Sequence, residues 1–131
     1  MTWIEELRSL AAARGLLLQT EGARVLVRPS TEAGFEVWAH EGAGEYTVGF
    51  DGWHDHFHST TPATELFEAG LSGECRLVVV KRGSAESSWT MERLRDGIWT
   101  PESKTGLLIF PFWRRAVLAY RRNTPVDVGS R

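Results

Sequence analysis

Residues 35–58, FEVWAHEGAGEYTVGFDGWHDHFH, alternate in side-chain character with a period of two through three runs. Period two is the strand period, because successive side chains leave a pleated backbone on opposite sides. Phe35, Val37 and Ala39 alternate with Glu36, Trp38 and His40. Tyr46, Val48 and Phe50 alternate with Glu45, Thr47 and Gly49, and Trp53, Asp55 and Phe57 with His54, His56 and His58. Asp51-Gly52 is a strong hairpin signal, since its glycine accepts the positive φ that a two-residue loop demands. Glu41–Gly44 reads as a four-residue loop. The stretch predicts a three-strand antiparallel meander.

The two turns fix a register, and a register turns the pattern into a surface map. They place His40 opposite Glu45, Trp38 opposite Thr47, Thr47 opposite His56 and Phe50 opposite Trp53. One face carries Phe35, Val37, Ala39, Tyr46, Val48, Phe50, Trp53 and Phe57 and is the core side. Asp55 is its discordant member, and a buried carboxylate needs a partner. The other face is laid out in three rows: Glu36, Gly49 and His54; Trp38, Thr47 and His56; His40, Glu45 and His58. All four histidines of the chain are thereby predicted to share one face.

The flanking sequence supplies two helices and further strands. Thr2 and Glu5 stand in capping-box relation, Ile4, Leu7, Leu10 and Ala11 recur at helical spacing, and Gly15 stops the run, so a helix is expected over about 3–14. LLLQTEGARVLVR (16–28) reads as two strands around Glu21-Gly22. Thr61-Pro62 opens a central helix over about 62–71, with threonine as cap and proline at the first helical position. Strands are expected at 74–82, 87–95, 98–100 and 106–110, the last buried and ended by Pro111. RRAVLAYRR (114–122) fits helix or strand, and its strand-rich surroundings favour strand. The fold expected is a single α+β domain over 1–122, with a twisted, mostly antiparallel sheet of six to nine strands, followed by a polar tail over 123–131.

Charge is unevenly distributed although the net is only −2. Residues 1–70 carry four Arg against eleven Asp and Glu, and residues 71–131 carry eleven Lys and Arg against six Asp and Glu. The simplest reading is that strands of both halves interleave and neutralise each other. Arg114, Arg115, Arg121 and Arg122 lack aromatics at stacking intervals, so they read as solvated cations and no nucleic-acid partner is expected. The longest apolar run, LLIFPFW at 107–113, is seven residues against the roughly 20 that a bilayer span needs. With no basic-then-apolar leader in MTWIEELRSL, no membrane partner and a cytoplasmic location are expected. Cys75 is the only cysteine and reads as a half-buried strand thiol.

No phosphate loop, dinucleotide fingerprint or nucleophile elbow is present. Three function classes follow. The leading one is a non-enzymatic binding or accessory module that recognises a protein or small ligand through Glu36, Trp38, His40, Glu45, Thr47, His54, His56 and His58. Trp38 stands out there, because a tryptophan on a polar face is either covered or binds something; the central helix, following His58 directly, is expected as its cover. The second class is a metal protein. His40, Glu45 and His58, one strand spacing apart, match in ligand type the two-histidine, one-carboxylate sets of iron and some zinc sites, although no cofactor is needed by the leading reading. The third is a small hydrolase or isomerase with a histidine general base held by Glu45 or Glu36, which requires a concave pocket over the rows. Trp3, Trp53, Trp89 and Trp113 are assigned to the core or its edge.

Overall fold

Thr2 opens the first helix as its sequence predicts: its hydroxyl accepts from the Glu5 N–H, and the Glu5 carboxylate accepts from the Thr2 N–H. Helix α1, Trp3–Ala13, follows in the computed structural model, which describes residues 2–123. A hairpin, β1 (Gln19–Glu21) and β2 (Arg24–Val27), and the meander β3 (Val37–Gly42), β4 (Glu45–Phe50) and β5 (Trp53–Phe57) form one antiparallel sheet in the order β1-β2-β3-β4-β5. Helix α2 (Thr60–Ser72) leads into a second antiparallel sheet of β6 (Cys75–Arg82), β7 (Ala85–Arg95), β8 (Ile98–Gly106) and β9 (Ala116–Arg122), in the order β8-β7-β6-β9. The class is α+β, with the antiparallel strands divided between two sheets instead of gathered in one.

Several local expectations shift. Helix α2 begins earlier than its Thr-Pro pair suggests: Ser59 is the cap, and Pro62 falls inside the first turn. Proline is tolerated there because first-turn N–H groups have no intrahelical acceptor. Strand β8 runs through Pro101 to Gly106; it is an edge strand, where a missing N–H need not break a ladder, and the pairing shifts by one residue opposite it, between Met91 and Glu92. Residues 114–122 resolve as strand from Ala116 onward.

The run expected as a buried strand at 106–110 is instead an exposed crossing. Because β8 and β9 lie at opposite edges of the second sheet, residues 107–115 must traverse it. Leu108 and Ile109 are 100% and 91% exposed, and Trp113, assigned to the core, is 71% exposed. Nor do the two charge halves interleave: residues 19–57 build the first sheet and 75–122 the second. A separation along the sequence has become a separation in space.

The inner faces of both sheets and the buried sides of α1 and α2 share one core, centred on Trp53, Phe35, Phe50, Phe67, Leu7 and Leu77. Trp3, Trp53 and Trp89 are buried as expected, and each indole N–H finds an acceptor: Thr64, Ser103 and Glu86. Cys75 is fully buried rather than half-buried, and desolvation pushes its thiol pKa up to about 11. Asn123, where the sequence suggests a polar tail begins, donates to the Gly70 carbonyl and accepts from the Phe35 N–H; the remainder of that tail lies outside the described residues.

Asp51 joins the two sheets. It carries the positive φ of its turn (49°), and Gly52 does not. Glycine at 52 answers a different need, since a Cβ there would come within 2.4 Å of the Trp89 ring. The Asp51 carboxylate accepts from the Glu36 N–H (2.8 Å) and from Arg121 of β9 (2.7 Å), and Arg121 also forks onto Glu86 of β7 (3.0 and 2.6 Å). Arg121 holds the Glu86 carboxyl below the ordinary carboxylate range.

Candidate recognition face

Pairing of β3 with β4 runs Val37 to Phe50, Trp38 to Gly49, His40 to Thr47 and Gly42 to Glu45. The loop between them is Ala43-Gly44, not Glu41–Gly44, so the expected register slips by two residues. Pairing of β4 with β5 matches expectation, with Thr47 opposite His56 and Phe50 opposite Trp53. A slip of two leaves every side chain on its own face. The outer face therefore still carries Trp38, His40, Glu45, Thr47, His54 and His56, in different rows: Leu26, Trp38, Gly49 and His54 in one, and Arg24, His40, Thr47 and His56 in the next. Glu36 precedes β3, and His58 lies beyond the end of β5.

Trp38 is held flat on the sheet. Gly49, its cross-strand partner, leaves room for the indole: a Cβ at 49 would stand 2.0 Å from the ring. The indole N–H donates to the Asp51 carbonyl (2.8 Å). The Arg24 guanidinium lies 5.4 Å from the ring centroid on one side, and the His54 ring 6.1 Å away on the other. Arg24 is tied in turn to Glu36 (3.3 Å) and Glu21 (3.4 Å), and Arg28 reaches Glu36 at 3.8 Å. Leu26, in the Trp38 row, is fully buried although it points away from the principal core. Arg24, Leu26 and Arg28 belong to this surface and were not among its sequence candidates. For Leu26 the signal is the unbroken apolar run Val25–Val27, which departs from the alternation of a strand with one wet face.

The expected central helix does not cover this face. Helix α2 packs on the core side, where Gly70 meets the Phe50 ring, and His54 and His56 stand exposed with their rings 5.2 Å apart, edge to face. Asp55, on the core-side parity of the edge strand β5, escapes burial: it is exposed and lines a cleft of about 270 Å³ with Glu65, Arg93, Arg95 and Glu102. That cleft and a 450 Å³ depression beside Thr2, Thr20 and Glu41 are bordered by none of the four histidines.

His56 is the histidine with a defined environment. Its Nδ1 lies 2.9 Å from the Thr47 hydroxyl and 3.1 Å from a Glu45 oxygen. Both partners thus address one ring nitrogen. A general-base relay needs the carboxylate on one nitrogen and the reacting hydroxyl on the other, and the His56 arrangement lacks that division. The row His40, Glu45, His58 does not form: Glu45 pairs with Gly42, and His40 with Thr47. Among the described residues, no group of three His, Cys, Asp or Glu side chains is arranged to hold a metal ion. Among them, too, no helix is long and apolar enough to cross a membrane.

Comparison with protein-family models, with curated proteins and with solved structures finds no match to this chain. Function rests on the geometry alone.

Proposed function

We propose that the protein is a non-enzymatic binding module and that the outer face of β3–β5 is its recognition surface for another protein. The observation that carries this reading is the half-buried Trp38 on the face that α2 leaves open: an indole anchored from below by Gly49 and from its edge by Asp51, flanked by the exposed His54 and by Arg24. Tryptophan and arginine held rigid on an open surface bind with little entropy left to lose, and such residues dominate protein interfaces. The face is a sheet and not a bowl, so it suits a protein surface better than a small molecule, which needs a concavity to be enclosed.

The test is quantitative capture of partners from cells by the wild type, by a His54→Glu/His56→Glu double variant and by an Ile109→Asp control. Both histidines are exposed and outside the core, so the double variant keeps its fold, checked by thermal unfolding. Expected is a protein retained stoichiometrically by wild type and control and lost by the double variant. Identical captured sets for all three overturn the reading, as does hydrolytic turnover of generic ester substrates that His56→Gln abolishes.

A further inference from the structure

We propose that the crossing loop at 107–113, with the cations that flank it, docks onto an anionic lipid surface. The loop projects its apolar side chains outward: Leu108 is 100% exposed, Ile109 91%, and Phe112 and Trp113 are each above 70%. Isolated exposed apolar residues are ordinary, but a contiguous set on one projection marks a contact surface.

The loop is also built to hold this shape. The Arg82 guanidinium donates to the Phe112 and Arg114 carbonyls (3.3 and 3.0 Å) and lies over the Phe110 ring at 5.4 Å. The Phe112 N–H donates to the Phe110 carbonyl and the Arg114 N–H to that of Pro111, and the Phe112 and Trp113 rings meet edge to face at 5.3 Å. The apolar groups therefore face solvent while the Phe110, Pro111, Phe112 and Arg114 carbonyls accept hydrogen bonds within the loop and from Arg82.

Charge selects the occupant. From Ser103 to Asn123 the chain has five cations, Lys104, Arg114, Arg115, Arg121 and Arg122, and no carboxylate. Arg121 is spent on Asp51 and Glu86. Lys104, Arg114 and Arg115 are exposed around the loop. A second copy is the other natural occupant of an edge such as β9, but antiparallel self-pairing of RRAVLAYRR about Leu118 sets Arg114 against Arg122 and Arg115 against Arg121, and like charges directly opposite destabilise a pair. A bilayer needs no shape complementarity from a convex tip, accepts aliphatic and tryptophan side chains at its interface, and offers anionic headgroups to the surrounding cations. The short length of the apolar run excludes spanning, not lying on, the membrane. This inference does not depend on the face at Trp38.

The full chain is tested by co-sedimentation with vesicles of phosphatidylcholine alone and of phosphatidylcholine with phosphatidylglycerol, at low and high salt, with size-exclusion chromatography alongside. Expected is binding to the anionic vesicles, weakened by salt and reduced about tenfold or more by Leu108→Asp/Ile109→Asp; both positions are solvent-exposed, so the variant keeps its thermal unfolding profile. Absence of binding at low salt overturns the proposal. Binding that survives the aspartate variant overturns it in favour of charge alone. Self-association that the same variant abolishes, without vesicle binding, overturns it in favour of a contact between copies.

Discussion

Gly49 and Trp38 behave as one unit, because the ring occupies the volume that any side chain at 49 would need. Gly49→Ala is expected to cost about 1–3 kcal/mol in urea unfolding, the usual range for forcing an extra carbon into a filled site. In a Trp38→Ala background the same change is expected to cost far less, since the volume has been vacated. A double-mutant cycle reads the difference as coupling, and additive costs would show that the ring does not rest there. The face of Trp38 was legible from alternation. Its seat was not, because glycine within a strand reads as an absence of packing, and only a neighbouring strand reveals what fills the gap.

Strand identity was easier to read than strand register. Gly42 reads as part of the loop Glu41–Gly44, whereas the ladder extends through it and closes with Ala43-Gly44. The slip spared the face map only because it is even; a slip of one would have turned Trp38 into the core. Contacts between elements distant in sequence left no local trace at all. Arg121, one of four arginines that read as solvated, bridges β9 to Glu86 of β7 and to the Asp51 turn. Arg121→Met is expected to lower stability by about 1–3 kcal/mol, the scale of hydrogen bonds to charged groups. Glu86→Gln tests the pH arm. Because the folded-state pKa of Glu86 is depressed, its stabilisation is present above the ordinary carboxylate pKa and lost as pH falls through the lowered value. The stability gap between wild type and Glu86→Gln is therefore expected to be widest near neutral pH and to close on acidification; a gap independent of pH would remove Glu86 from this account.

Over the whole molecule, the division of charge between the two sheets is the largest departure from expectation. It was written in the sequence as an acidic and a basic half, and its spatial outcome depended on a topology in which no strand of one half enters the sheet of the other. The same topology explains why 107–113 misled: a short aliphatic run signals a buried strand, but here it must bridge opposite edges. With a net charge of −2 and a pI near 6.1, a uniformly charged protein would pass a cation exchanger at pH 7. This one is expected to be retained at low salt through its second sheet, and Arg114→Gln/Arg115→Gln to elute measurably earlier; flow-through of the wild type would show that the basic patch is neutralised. The strand order has a further consequence, for biosynthesis. Strand β6 has β7 on one side and, on the other, β9, which is made well after it. Nascent chains must keep one flank of a valine-rich strand bare while the intervening residues 83–115 are translated, which offers chaperones a defined window in which to act.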